Sequence, residues 1–191
     1  MQQYYKLLDW IPLNKLDWFN LSINPKAIHL LEQNSDKIKW HCLSSNSGAI
    51  HLLKQNPDKI NWFWLSANPS AFHLISEALE QNPDKIVWSM LSLNPNPEAI
   101  QLLEQNPDKI DWDYLSKNPA AIHLLEQNLD KIDWDWLSAN TSAIHLLEQN
   151  QDKIIWPMLS SNPAIFTYDY KHIAEDRWPI NKEMIQSRFR I

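Results

Sequence analysis

Asn106-Pro107-Asp108-Lys109-Ile110-Asp111-Trp112, carried on to Asn128, decides the fold, because nearly the whole chain repeats it. Its tryptophan recurs at Trp18, Trp40, Trp62, Trp88, Trp112, Trp134 and Trp156, at spacings of 22, 22, 26, 24, 22 and 22 residues. A fixed period in this range is the signature of stacked repeats, in which one unit cannot bury enough apolar surface to fold alone.

Two amphipathic segments alternate within the unit from Pro107 to Asn128. Ile110, Trp112, Tyr114 and Leu115 fall near one side of a 3.6-residue helix. Ala121, Ile122, Leu124 and Leu125 form a second stripe, opposite His123, Glu126 and Gln127. The Asn-Pro pairs read as helix starts. Proline holds its predecessor extended, the asparagine oxygen caps the first amides, and proline at the first helical position gives up no bond. Where proline is replaced (Ser35, Ser47, Leu129, Thr141, Gln151) the asparagine stays. The pattern predicts helices of about eight to ten residues joined by connections of about one to three. Four extra residues between His73 and Gln81 add about one helical turn. Asn96-Pro97 lengthens a connection, where extra chain costs little.

The expected architecture is all-α: an α-solenoid of about seven 22-residue two-helix repeats over residues 13–162, with caps at both ends. Residues 1–12 read as a degenerate N-terminal cap, with Tyr4 to Pro12 as a worn second helix. Residues 163–191 read as a C-terminal cap ending in an amphipathic helix from Asn181 to Ile191. A leucine-rich repeat has a similar period, but Ile122-His123-Leu124-Leu125-Glu126 lacks the alternating leucines of its strand.

Composition narrows the function. The net charge is −6, and residues 164–191 carry five Lys/Arg against four Asp/Glu, so the repeats hold −7. An acidic array repels a phosphate backbone, which argues against nucleic acid as a partner. The lone Cys42 forms no intrachain disulfide and suits a reducing compartment. Met1 to Lys6 has no secretory pattern, and no apolar run approaches the ~20 residues of a membrane span. A soluble cytoplasmic protein is expected. With Gly48 as its single glycine the chain can build neither a hairpin-rich fold nor a phosphate-binding loop.

Several columns invite chemistry. The tryptophans could stack a ligand, or form a spine in which each indole packs on the next unit; recurrence in every unit favours the spine. His29, His51, His73, His123 and His145 form a column with Gln101 in the sixth position, and Glu32, Glu104, Glu126 and Glu148 lie three residues after that slot, a spacing that suits a shared metal. Gln101 and Lys54 break that set, so the column reads as a solvated face with His–Glu pairing along each helix, and no metal or cofactor is assigned. A serine in every unit, from Ser22 to Ser160, reads as hydrogen bonding at a helix end, and no unique histidine or acid offers a catalytic base. No enzyme is expected. The most variable slots flank the tryptophan, and they point to a protein partner met by Phe63, Trp64, Asp111, Asp113, Tyr114, Asp133, Asp135 and Trp136. If that face serves only recognition, alanine there leaves stability nearly unchanged. A non-enzymatic interaction or scaffold module is the leading function; a structural component of a virion or assembly is the alternative, and a metal protein using the His/Glu face a third.

The repeated text Leu-Ser-x-Asn-Pro-x-Ala-Ile-His-Leu-Leu-Glu-Gln-Asn-Pro-Asp-Lys-Ile-x-Trp resembles the short tandem-repeat proteins encoded by giant DNA viruses. Asn162-Pro163-Ala164-Ile165-Phe166-Thr167-Tyr168-Asp169-Tyr170 is similar to the closing motif of those arrays, and Glu183-Met184-Ile185 to the acidic helix after it. Phe189-Arg190-Ile191 replaces the His-Pro pair common in that family. The resemblance covers nearly the whole chain, implies a viral origin and brings no catalytic residues.

Overall fold

A computed structural model describes residues 5–170 and 173. Each unit supplies one tryptophan-bearing helix and one second helix. The first kind are α1 (Trp18–Ile23), α3 (Trp40–Leu43), α5 (Trp62–Ser66), α7 (Trp88–Ser92), α9 (Trp112–Lys117), α11 (Trp134–Ser138) and α13 (Trp156–Leu159). The second kind are α2 (Ile28–Glu32), α4 (Ile50–Gln55), α6 (Phe72–Gln81), α8 (Pro97–Gln105), α10 (Ile122–Glu126) and α12 (Ile144–Gln149). No strand occurs among the described residues, so the fold is an all-α repeat solenoid and the leucine-rich alternative is excluded. Most tryptophan-bearing helices stack directly on their neighbours, as in α1 on α3 and the run from α5 through α7, α9 and α11 to α13.

The second segment folds as its periodicity predicts. Asn118 accepts the Ala120 N–H on its side-chain oxygen at 3.0 Å, and a 3-10 turn at Pro119–Ala121 runs straight into α10. The inserted turn is absorbed in α6, which is continuous over ten residues and buries Leu74, Ile75 and Ala78. Asn96 caps α8 at the longer connection, accepting the Glu98 N–H at 2.8 Å.

The first segment differs from the expected continuous helix. Pro107–Lys109 forms a 3-10 turn, Ile110 is extended (φ −68°, ψ 126°), and α9 starts only at Trp112. The tryptophan-bearing helices are therefore four to six residues long. Asn106 does not cap the turn after it. Its side-chain amide donates back to the Leu102 carbonyl at 2.8 Å and closes α8. The physical reason for the break is a bond between units. The Asp111 N–H donates to Ser92 Oγ at 3.1 Å, a donor that an unbroken helix would spend on its own carbonyl. The N-terminal expectation also changes. Residues 5–12 are not helical, and a 3-10 turn at Leu13–Lys15 opens the first unit. The helix expected from Asn181 to Ile191 lies outside the described residues.

The core is leucine and alanine. Leu43, Leu65, Leu91, Leu115 and Leu137 from one layer meet Leu31, Leu53, Ile75, Leu103 and Leu125 from the other, all fully buried. Ala49, Ala71, Ala99, Ala121 and Ala143, at the start of the second segments, are fully buried beside them. The column tryptophans from Trp18 to Trp134 (one per unit, at the start of each tryptophan-bearing helix) pack on this core from its rim and are half-buried, whereas Trp156 is exposed.

A buried polar ladder joins the units. Each serine from Ser22 to Ser138 donates to the carbonyl of its own tryptophan and accepts a backbone N–H from the next unit, as Ser116 does with Trp112 (2.7 Å) and Asp133 (3.0 Å). Asparagines add a second rung: the Asn118 amide donates to the Ser92 and Asn94 carbonyls at 3.0 and 2.9 Å. No buried side-chain polar atom among the described residues lacks a partner. Replacing Asn118 by alanine removes a cap and leaves two buried carbonyls short of a donor, and is expected to cost about 3 kcal/mol. Asn24→Ala, at the exposed first position of the same column, loses only the cap to Lys26 and is expected to cost about 1 kcal/mol. Urea unfolding midpoints of the two variants measure the difference.

Candidate interaction surface

The tryptophan-bearing helices turn their first-turn side chains away from the ladder. Phe63, Trp64, Asp113, Tyr114, Asp135 and Trp136 are exposed there, whereas Asp111 and Asp133 are half-buried. Those two aspartates serve as helix caps. Asp111 accepts the Tyr114 N–H at 3.1 Å and Asp133 accepts the Trp136 N–H at 2.9 Å. Asp17 and Asn61 cap α1 and α5 in the same way. Lys39, Val87 and Ile155 hold that slot without capping, so the cap is an optional gain rather than a requirement.

The exposed positions fall into two patches. Phe63 and Trp64 pack edge to face at 5.1 Å, each 43% exposed. Tyr114 and Trp136, on α9 and α11, are each 38% exposed. Between the patches stands α7, where Met90 is buried and Ser89 half-buried, so the eight candidate residues do not form one continuous site. Lys117 sits over the Trp136 ring, its ammonium 4.4 Å from the centroid. Sequence reasoning misses this lysine; the signal was a charged residue directly before Asn-Pro, where other units carry isoleucine, serine, alanine or leucine.

The tryptophan column itself is not an open stacking platform. Each indole from Trp18 to Trp134, Trp88 excepted, lies under the lysine of the next unit's Asp-Lys-Ile: Lys37 over Trp18 at 4.9 Å, Lys59 over Trp40 at 4.6 Å, Lys131 over Trp112 at 4.6 Å. The contact is cation–π, worth roughly 0.5–1 kcal/mol at such half-exposed sites. The spine is thus lysine on indole, not indole on indole. Both residues recur with the same period, and that shared recurrence was the available signal.

Histidine and glutamate also pair differently from the expected spacing along one helix. Nε2 of His51, His123 and His145 reaches Oε1 of Glu32, Glu104 and Glu126 in the preceding unit at 2.7, 2.8 and 2.6 Å. Only Glu32 also meets a histidine of its own helix, His29 at 3.4 Å. The three short contacts each bridge two units, and no group of three or more His, Cys, Asp or Glu that could hold a metal ion is found among the described residues. The ladder serines have both hydroxyl functions committed. Burial holds the Cys42 thiol above its usual range, which disfavours the reactive thiolate.

No protein-family model, curated protein or solved structure matches the chain.

The hydrogen bond from His51 holds the Glu32 carboxyl below its ordinary 4.5, outweighing the opposing effect of burial, with a smaller contribution from His29. A carboxyl lowered in the folded state stabilises above its unfolded pKa, and the gain disappears as pH falls through the folded value. The stability advantage of the native chain over Glu32→Gln is therefore expected near neutral pH and lost in acid. An NMR titration of Glu32 is expected to run below 4.5 and to move back up in His51→Ala.

Proposed function

We propose that this chain is a non-enzymatic protein-interaction or scaffold module whose partner docks on the outward side of the tryptophan-bearing helices. The observation that carries the reading is the pair of aromatic patches, Phe63 with Trp64 and Tyr114 with Trp136, raised on helices whose inner side is tied into a buried ladder. Isolated exposed hydrophobics need no explanation, but paired large aromatics on rigid elements are the usual anchors of an interface. Asp113 and Asp135 flank the second patch, which favours a partner presenting apolar side chains beside basic ones. The scaffold does not need aromatics here, since Asn20, Cys42, Met90 and Met158 fill the slot of Trp64 in other units.

A second reading, a structural part of a virion or larger assembly, is favoured by the resemblance to viral tandem-repeat proteins and by the exposure of Trp156 in the last unit. A reducing, cytoplasmic setting (host cytoplasm for a viral protein) fits the single buried cysteine. No described helix is long and apolar enough to cross a membrane.

Affinity capture with the native chain and two double variants, Phe63→Ala with Trp64→Ala and Tyr114→Ala with Trp136→Ala, tests the reading. Each double variant is expected to keep its unfolding midpoint close to native and to lose the captured partner; capture unchanged by both refutes the docking face. Asp111→Ala and Asp133→Ala are expected to lower stability by about 1 kcal/mol each, because a helix cap goes with each side chain.

A further inference from the structure

The contacts that join one unit to the next are directional, and the two ends of the array carry their unused halves. At each of the six internal junctions the leading unit offers a serine hydroxyl and carbonyl, and the following unit donates a backbone N–H and an asparagine amide. At five of the six, the following unit also lays a lysine over the leading unit's tryptophan. Among the described residues, no following unit covers the leading half of the last unit. Trp156 is 63% exposed, Leu159 is only half-buried, and Ser160 is exposed although every earlier serine of its column is fully buried. Among the described residues, no preceding repeat unit covers the following half of the first unit, which Tyr5 to Leu7 border instead. Asn24 is the one exposed asparagine of a buried column, Leu21 is only half-buried, and Lys15 stands at the position that Lys37 holds in the next unit.

We propose that a second copy of this chain docks its first unit on the last unit of the first, so that copies join head to tail through the contacts already used inside the array. Lys15 then covers Trp156, the Asp17 N–H reaches Ser160 Oγ, and the Asn24 amide reaches the Ser160 carbonyl. The occupant follows from complementarity: the donors at one end match the acceptors at the other, slot by slot, in geometry repeated at six junctions of the same chain. Tyr5 to Leu7 border the first unit beside Asn24, and Tyr5 lies under Lys26 at 5.3 Å, so seating a copy displaces this short non-helical segment. Such a contact is heterologous: it uses a different surface on each partner and extends without closing, unless curvature brings the ends together. It uses the ends of the array and is independent of the aromatic docking face.

Sedimentation velocity on the full chain and two end variants tests it. Lys15→Ala with Asn24→Ala damages the first unit, and Trp156→Lys damages the last. The native chain is expected to grow in mass with concentration, and each variant alone to require at least about tenfold more protein for the same association. An equal mixture of the two variants is expected to form one-to-one dimers and stop, because each retains one sound end. A monomeric native chain, variants that associate as the native chain does, or a mixture that stays monomeric overturns the proposal. If the native chain is monomeric and Trp156 fluorescence is shielded from quencher, the chain's own residues 171–191 are the cover. Thermal unfolding of each variant verifies that it is folded.

Discussion

A helix of four to six residues cannot satisfy its own ends, and this constraint governs the rest of the structure. Nearly every backbone group in α3, α5 or α9 is a terminal one. Water cannot reach the groups facing the neighbouring unit, so partners must come from the protein. Ser116 illustrates the solution: its hydroxyl serves the Trp112 carbonyl behind it and the Asp133 N–H ahead of it. Asn118 does the same with two ends of one amide, capping its own helix with oxygen and reaching back to Ser92 and Asn94 with nitrogen. These are buried polar residues with no slack, and leaving any of them half-paired costs more than the bonds gain.

Stability is therefore shared between neighbours. Leucine and alanine supply non-directional burial, while serine and asparagine fix the register in which that burial occurs. The lysines over five of the column's indoles and the histidines against Glu32, Glu104 and Glu126 add weak, exposed contacts between units. All four kinds run from one unit to the next, so the array behaves as a one-dimensional stack.

Legibility in the sequence depended on whether a contact lay within a unit or between units. The Ile122 to Glu126 stripe announced its helix, because its periodicity is local. Asn106 and Asn118 both precede proline, yet one closes the helix behind it and the other opens the helix ahead. The difference lies in what precedes them: Asn106 ends a run of Leu-Leu-Glu-Gln with a free carbonyl four residues back, whereas Asn118 follows a short helix and faces the unit before it. His51 has Lys54 three residues on, and its true partner, Glu32, lies 19 residues behind it. Only the rise from one unit to the next brings them together, and spacing along one helix cannot reveal it. Among the partner candidates, Phe63, Trp64, Asp113, Tyr114, Asp135 and Trp136 are exposed as their variability suggested. Asp111 and Asp133 vary for another reason.

That reason shows what the scaffold demands. At the slot before each tryptophan the required group is the backbone N–H, which bonds to the preceding serine whether the residue is Lys39, Val87, Asp111 or Ile155. The side chain is free to cap or not. Proline, so common elsewhere in these units, never occupies the slot, as a residue without that N–H would break the ladder. One residue after the tryptophan the demand vanishes: the amide there is an orphan of the helix start, and Pro157 occupies it in α13. In the same unit Ile155 offers no cap, so a proline that removes an uncapped donor resolves the deficit. Variation at these two adjacent slots thus has two origins, a backbone requirement blind to side chain at the first and an open surface at the second. At the second the backbone amide is free as well, so even proline is admitted there without disturbing the stack.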